Sequence, residues 1–110
     1  VVYTGTHDNS TVRGWYKEID DLDKKMCMDY INSDDSDEEN ISWDFICLAM
    51  RSVADTCVIP VQDFLGLDES ARINTPSTLG DNWKWRMTLG CFSQELIDKI
   101  KRLTKIYGRI

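Results

Sequence analysis

Two short apolar segments, each followed by a helical pattern, constrain the fold of this chain more than any other feature. Val1–Tyr3 and Val58–Gln62 predict strands, and apolar residues recur at helical spacing after each. Strands separated by helices predict a parallel pair with a right-handed crossover. Parallel sheets are buried on both faces, and two strands with their helices cannot close such a core. The pattern therefore predicts a βαβα piece of a larger α/β protein.

Local signals give the expected bounds of the other elements. Ser42 is predicted to cap a helix, and Ser93 is predicted to cap a final amphipathic helix that Gly108 ends. Pro60 lacks the N–H of a ladder donor, so the second strand is expected at a sheet edge. The predicted helices cover 12–19, 20–31, 43–55 and the stretch from 94 to Gly108, with short turns or helices over 63–67 and 69–73.

Charge and composition exclude several classes of function. The net charge is −6, and residues 18–44 hold most of the acidity, which argues against a nucleic-acid partner or an anionic membrane. No apolar run approaches the ~18 residues of a membrane span, and no signal segment is visible. At 110 residues the chain holds one domain at most. Residues 32–40 contain no apolar side chain and predict an acidic, solvent-exposed loop; they lack the glycine and distal glutamate of an EF-hand.

The four cysteines do not form a recognisable framework. Cys27, Cys47, Cys57 and Cys91 include no Cys-x-x-Cys pair, and the chain has one histidine, so no familiar zinc site can be built. We expect free, buried, reduced thiols and no metal site. Free thiols are typical of proteins in a reducing compartment, so we expect the protein in the cytoplasm.

A polar cluster follows the first predicted strand. The chain runs from Tyr3 into Gly5 and then Thr6-His7-Asp8-Asn9. In α/β sheets and barrels, ligands bind outside the carboxyl ends of the strands, so a His-Asp pair placed there is aimed at a substrate. The competing interpretation is local, since Asp and Asn after a strand commonly form turns or cap helices. The position alone favours the local role.

The segment 74–86 is too long and too aromatic for a simple connector. Loops of this length in compact domains usually carry function, and we expect an active-site loop. Trp83 and Trp85 alternate and would share one side of an extended chain. They could stack on a ligand or pack the loop onto the body of the protein, and packing is favoured because large aromatics mostly supply buried area.

Five motifs in register give the chain a family resemblance. With these motifs, nearly the whole chain resembles the C-terminal part of 4-α-glucanotransferases, the amylomaltase or disproportionating-enzyme group of glycoside hydrolase family 77. The motifs are Tyr3-Thr4-Gly5-Thr6-His7-Asp8-Asn9, Gly14-Trp15, Ile59-Pro60-Val61-Gln62-Asp63, Ala71-Arg72-Ile73-Asn74-Thr75-Pro76 and Asn82-Trp83-Lys84-Trp85-Arg86.

The resemblance implies a fold and a chemistry. It implies a (β/α)8 TIM barrel, with residues 1–6 and 58–62 as strands seven and eight and the remaining strands upstream. It implies retaining transfer of α-1,4-glucan segments between maltooligosaccharides, with glucose also a donor or acceptor and with no cofactor. Asp8 matches the family's third, transition-state-stabilising carboxylate, His7 and Asn74 are implied substrate contacts, and the nucleophile and the acid/base residue would lie upstream of Val1.

Several positions depart from the family pattern. Ser10 and Ser70 stand where Asp and Glu are usual, and Ser77 and Asp81 stand where Gly is usual. If the loop needs positive φ there, Gly80 is expected to take over that role. Arg72 and Arg86 are expected either to pair with carboxylates or to brace the loop. A non-catalytic, acidic α/β fragment for glucan binding or another interaction is the alternative function, because the chain holds one of three catalytic carboxylates.

Overall fold

The computed structural model describes residues 1–33 and 38–110, and in it the two predicted strands pair as expected. Val2–Tyr3 (β1) lies parallel to Cys57–Val58 (β2), with Val2 opposite Cys57 and Tyr3 opposite Val58. Main-chain hydrogen bonds extend the pairing at both ends, from Val2 N to Thr56 O at 2.9 Å and from Thr4 N to Val58 O at 3.3 Å. The α/β prediction with parallel strands is therefore confirmed.

The second strand is shorter than predicted, and Pro60 is the reason. The strand was predicted over 58–62, but it ends at Val58, and Pro60 is the N-cap residue of a short helix, Val61–Phe64 (α4). Proline has no N–H to donate to a ladder, and its φ of −58° suits the entry to a helix. The chain therefore turns into α4 directly after the strand.

The other helices are α1 (Val12–Glu18), α2 (Asp21–Ile31), α3 (Ile41–Met50), a 3-10 helix (Glu69–Ala71) and α5 (Gln94–Ile106). Side-chain caps explain several of these starts. Thr11 accepts from Gly14 N at 3.1 Å, Asp20 from Asp23 N at 2.8 Å, and Ser93 from Leu96 N at 3.1 Å. The predicted cap at Ser93 is confirmed, and Gly108 follows α5 at φ +67°.

Helix α3 differs from its prediction at both ends. Asn40 is the cap residue, and Ser42 lies inside the helix, fully buried, with no hydrogen-bond partner for its Oγ among the described residues. The helix ends at Met50 instead of residue 55. Arg109 donates to the carbonyl oxygens of Met50, Ser52 and Ala54, so these acceptors are satisfied without further helical turns.

Helices α1, α3 and the 3-10 helix form the core. Its buried apolar side chains are Val12, Ile41, Ile46, Ala49, Met50 and Ala71. The rings of Trp15 and Phe45 meet edge to face at 5.6 Å, and the Lys99 ammonium lies 3.7 Å from the Trp43 ring centre, joining α5 to α3. A Cβ on Gly14 would lie 2.9 Å from Glu69 N, so this glycine is a close-packing site.

The acidic loop was predicted over 32–40, and residues 34–37 lie outside the described part of the chain. On its flanks, Asn32 ends α2 in the left-handed region at φ 56°. Glu38 is half-buried and its carboxylate lies 3.4 Å from the Arg13 side chain, so this end of the loop is not fully solvated.

The cysteines are all free, and each is half-buried, which is less burial than predicted. Within the described ranges, none of the helices combines the length and apolar character needed to cross a bilayer.

Candidate active site

The turn after β1 places the predicted site residues at the edge of the sheet. Asn9 Oδ1 accepts from Thr6 N at 2.8 Å and from Thr6 Oγ1 at 2.9 Å, and Asn9 N donates to Thr6 O at 3.1 Å. These bonds close a tight Asx-type turn. His7 and Asp8 lie at its tip, with side chains 54% and 48% exposed.

Asp8 contacts both other residues that the sequence predicted for the site. Its Oδ1 accepts from Asn74 Nδ2 at 2.7 Å, and its Oδ2 lies 3.3 Å from His7 Nε2. The local interpretation is wrong in its helix-capping form, because Thr11 caps α1, whereas Asn9 does form a turn as that interpretation expected. The structure therefore brings His7, Asp8 and Asn74 together into one exposed polar cluster.

Asn74 also ties the two loops together through its main chain. Its N–H donates to His7 O at 3.2 Å, across a separation of 67 positions along the chain. Farther along the 74–86 segment, Thr75 N donates to Asn82 Oδ1 at 2.9 Å, and Trp83 N returns to Ile73 O at 2.7 Å. The segment is thus a closed loop whose base is Asn74.

The two tryptophans of this loop have different surroundings. The Trp83 ring lies tilted against the His7 imidazole with 5.1 Å between ring centres, and the residue is 56% exposed. Trp85 is half-buried. The half-burial of Trp85 fits the packing role, whereas Trp83 presents an open aromatic surface beside His7.

The 74–86 loop carries strained backbone at the positions where the resemblance implies glycine. Ser77 has φ 62° and Asp81 has φ 50°, both in the left-handed region, and Trp83 has φ 63°. Gly80 also has a positive φ, at 80°, but Asp81 next to it still adopts a positive φ of its own. The expectation that Gly80 would take over that role is wrong, because Ser77 and Asp81 adopt the conformation themselves.

Arg72 braces the site through main-chain oxygens. Its Nη2 donates to Asp8 O at 2.8 Å and its Nε donates to Asn74 O at 2.9 Å, while Nη1 pairs with Glu69 Oε1 at 3.1 Å. Arg86 donates to Trp83 O and Trp85 O within its own loop. Bracing is therefore the main role of both arginines, and Arg72 combines it with an ion pair to Glu69.

A second carboxylate, Asp63, lies below the cluster and is almost fully buried at 1% exposure. Its Oδ2 accepts from Thr4 Oγ1 at 2.7 Å and its Oδ1 accepts from Val12 N at 2.9 Å. Burial raises the pKa of this carboxyl group, and the hydrogen bonds from Val12 and Thr4 lower it by less. Asp63 therefore fixes both ends of the loop that carries His7 and Asp8.

Sequence reasoning missed the part played by Asp63, and for Arg72 it left open whether the side chain braces the loop or pairs with a carboxylate. Asp63 stands five positions after the end of β2, as Asp8 stands five after the end of β1, and Tyr3 and Val58 are opposite in register. This repeat is visible in the sequence once the strand ends are known. Arg72 lies two positions before Asn74, but its contacts become apparent only when the loops close.

An open cleft of about 430 Å³ lies beside the cluster. Strand-end, turn and loop residues line it, including Tyr3, Thr6, His7, Val58, Asp63 and Ile73. Within residues 1–33 and 38–110, no three His, Cys, Asp or Glu side chains converge in a way that could hold a metal ion.

The cluster combines groups that suit polyhydroxyl ligands. It offers a carboxylate acceptor, an amide, an imidazole and an exposed indole face, and sugars present hydroxyls and apolar ring faces to such groups. The cluster contains one carboxyl group from these residues, whereas retaining glycosyl transfer needs an acid/base and a nucleophile. These residues can therefore bind and orient a sugar, and bond exchange would need further groups.

Comparisons with known proteins agree on one family. The family model described as 4-alpha-glucanotransferase, glycoside hydrolase family 77, matches residues 1–92. The chain is 47% identical over 110 residues to a 4-alpha-glucanotransferase of Clostridium butyricum, and this alignment covers 99% of the chain and 22% of that protein. It is 43% identical over 113 residues to the chloroplastic/amyloplastic 4-alpha-glucanotransferase DPE1 of Arabidopsis thaliana, covering 100% of the chain and 19% of that protein.

A solved structure matches as well. Amylomaltase from Streptococcus agalactiae in complex with acarbose superposes with a TM-score of 0.90 at 28% identity, over 98% of this chain and 22% of that one. The chain thus spans about a fifth of the length of the curated relatives it matches.

Proposed function

Because the chain belongs to the 4-alpha-glucanotransferase family, we propose that it supplies the C-terminal part of an enzyme that transfers α-1,4-glucan segments between maltodextrins. The observation that carries this proposal is the position of Asp8. It is an exposed carboxylate beyond the end of β1, hydrogen-bonded by Asn74 and flanked by His7.

In this proposal β1 and β2 are the seventh and eighth strands of a (β/α)8 barrel. The parallel pairing of β1 and β2, with helices between them, supports the assignment. So does the uncovered apolar surface at the strands, where Tyr3 is 53% exposed and Val58 41% exposed. The preceding strands of the full-length enzyme would cover that surface and complete the barrel.

Asp8 acts on the transition state in this mechanism. Retaining transfer passes through an oxocarbenium-like state in which positive charge builds on the sugar ring. A carboxylate that accepts hydrogen bonds from ring hydroxyls holds a distorted ring, and these bonds strengthen as that charge develops. Asp8 therefore stabilises the transition state without touching the anomeric carbon.

His7 and Asn74 orient the same glucose unit. The Asn74 amide donates to Asp8 Oδ1, so one lone pair of that oxygen is engaged and the carboxylate is fixed in rotation. Oδ2 lies on the side of the His7 imidazole, which can exchange a hydrogen bond with a neighbouring sugar hydroxyl. The nucleophilic Asp and the acid/base Glu come from earlier strands of the full-length enzyme.

Transfer instead of hydrolysis requires a sugar hydroxyl to reach the covalent intermediate before water does. The 74–86 loop borders the cluster and places Trp83 beside His7, which supports a role for it as part of the cover over the acceptor site. The donors and acceptors we propose are maltooligosaccharides, with glucose as the smallest acceptor. The similar amylomaltase from Streptococcus agalactiae was solved in complex with acarbose, which supports an oligosaccharide site of this kind.

The four free cysteines support a reducing compartment, and we place the enzyme in the cytoplasm.

Maltotriose tests the proposal. The full-length enzyme that carries this chain should convert it to glucose and longer maltodextrins, detected by chromatography of the products. Residues 1–110 alone should not, because they lack the nucleophile and the acid/base residue. Glucan binding by the full-length protein without any turnover would favour the alternative function, a non-catalytic glucan-binding fragment.

A further inference from the structure

We propose that Arg72 is a positioning residue for the transfer reaction, acting by holding the Asp8 turn and the Asn74 loop at a fixed separation. The proposal rests on the function proposed above, since it assumes that Asp8 stabilises the transition state. It assigns no substrate contact to Arg72.

The guanidinium spans the two loops at their main chains. Nη2 donates to Asp8 O at 2.8 Å and Nε donates to Asn74 O at 2.9 Å. These oxygens belong to the two residues whose side chains meet at 2.7 Å above them. A planar guanidinium keeps its N–H groups in a rigid fork, so the two carbonyl oxygens are held at a set distance from each other.

The third nitrogen of the guanidinium, Nη1, also has a partner. Nη1 lies 3.1 Å from Glu69 Oε1, and the other oxygen of Glu69 accepts a hydrogen bond from Ser10 Oγ. The side chain of Glu69 is 51% exposed and that of Arg72 is 23% exposed, so solvent screens the ion pair. The pair therefore matters chiefly for geometry: it fixes the rotamer of Arg72 from the side opposite the site.

Positioning of this kind bears on rate because the site lies on two loops rather than on one rigid element. Asp8 and Asn74 are 66 positions apart in the chain. A displacement of about 1 Å in a catalytic group can cost about 10²-fold in rate. Without the guanidinium, the Asp8 turn and the Asn74 loop would be joined by two hydrogen bonds, from Asn74 Nδ2 to Asp8 Oδ1 and from Asn74 N to His7 O, and water competes for both.

Arg109 offers a matched control within the same chain. Its guanidinium also donates to main-chain oxygens, at 2.8 Å to Met50 O and 3.0 Å to Ala54 O, but these belong to the last residue of α3 and to the segment that follows it. An Arg109→Gly change should lower stability as Arg72→Gly does. It should leave kcat unchanged.

The test is steady-state kinetics of the full-length enzyme on maltotriose, with thermal unfolding of each variant measured alongside. We expect Arg72→Gly to lower kcat by about 10²-fold, with a much smaller change in KM, because the loss falls on the transition state. Arg72→Lys should lower kcat by a smaller factor, since an ammonium cannot hold both carbonyl oxygens with one planar fork. Added guanidinium or methylguanidinium should restore part of the rate of Arg72→Gly and none of that of Arg109→Gly.

Each contrary result has a distinct meaning. Wild-type enzyme that does not disproportionate maltotriose would overturn the proposed function itself. Active wild type together with an Arg72→Lys enzyme of normal kcat and lowered unfolding temperature would overturn only the positioning role. Equal kcat losses in the Arg72 and Arg109 variants would do the same, since activity would then follow stability.

Discussion

The two strands of this chain each deliver an aspartate five residues beyond their ends, and the two aspartates have opposite surroundings. Asp8 follows β1, and its side chain is 48% exposed with Asn74 and His7 as neighbours. Asp63 follows β2, is 1% exposed, and accepts from Thr4 and Val12. Two aspartates at equal distance from a strand end can therefore differ completely in burial and in hydrogen-bond partners.

The chain between strand and aspartate causes the difference. After β2, Pro60 begins α4 at once, and the first turn of that helix folds Asp63 back beneath the sheet edge. After β1, the turn from Thr6 to Asn9 delays the helix until Val12 and leaves Asp8 at its tip. One carboxylate thus supports the turn that exposes the other.

The largest expected effect separates the two aspartates by activity. Asp8→Asn in the full-length enzyme should lower kcat by about 10²- to 10³-fold, the range found when one preorganised charge-stabilising group is lost. Asp63→Asn should keep kcat near wild type, because the amide oxygen can still accept from Val12 N and the Thr4 hydroxyl can rotate to accept. Maltotriose kinetics measure both, and comparable losses from the two changes would break the comparison.

The second prediction concerns stability, which the change at Asp63 should lower more than the change at Asp8. Asp63→Ala removes the acceptor for the Val12 N–H and the Thr4 hydroxyl in a buried site, and should cost about 2–4 kcal/mol of unfolding free energy. Asp8→Ala lies at an exposed turn and should cost about 0.5 kcal/mol or less. Denaturant unfolding of the full-length enzyme tests this, and equal costs would show that Asp63 is not a structural tie.

A smaller effect follows from the raised pKa of Asp63. The folded state holds this proton more tightly than the unfolded chain, whose ordinary carboxyl pKa is 3.8. The contribution of Asp63 is therefore fully present below that value and declines as pH rises through the raised folded pKa. Asp63→Asn does not titrate, so its unfolding midpoint should rise relative to that of the wild type as pH increases above the ordinary carboxyl pKa of 3.8. A difference between the two midpoints that does not change with pH would contradict the assignment.

The smallest effect concerns backbone strain on the exposed side. Ser77→Gly should stabilise the enzyme by about 0.5–1 kcal/mol, because serine is held at φ 62° and glycine adopts that conformation without a Cβ clash. Asp81→Gly should gain less, since the Asp81 carboxylate pairs with Lys84 at 3.0 Å and Asp tolerates this region better. Leu79→Gly is the control: Leu79 is fully exposed and not left-handed, so the change should not stabilise. Thermal unfolding measures all three, and a destabilising Ser77→Gly would show that the loop carries no strain there.

Features fixed by neighbouring residues were predictable from the sequence. Ser93 caps α5 through Leu96 N, three positions away, and Gly108 closes the same helix, so local spacing was sufficient. The parallel pairing followed from the alternation of strand and helix. The site residues His7, Asp8 and Asn74 came from motifs, and the structure places them together.

Features fixed by distant contacts were not predictable. The end of α3 depends on Arg109, 59 positions from Met50. The bracing by Arg72 depends on Asp8, 64 positions away, and nothing in the local sequence distinguishes it from an arginine that pairs with a carboxylate. The predicted end of β2 was wrong for a local reason. Pro60 favours the start of a helix, but the apolar residues around it were interpreted as a continuing strand.

The bond between Asn74 and Asp8 also dictates when the site can first exist during synthesis. A ribosome adds about 5–20 residues each second, so the nascent carboxylate waits about 3 to 13 s for its amide partner, 66 positions later, to be translated. Until Asp63 is translated, the turn after β1 is held only by its own Asx bonds, and the cluster of His7, Asp8 and Asn74 is complete before α5 has been translated.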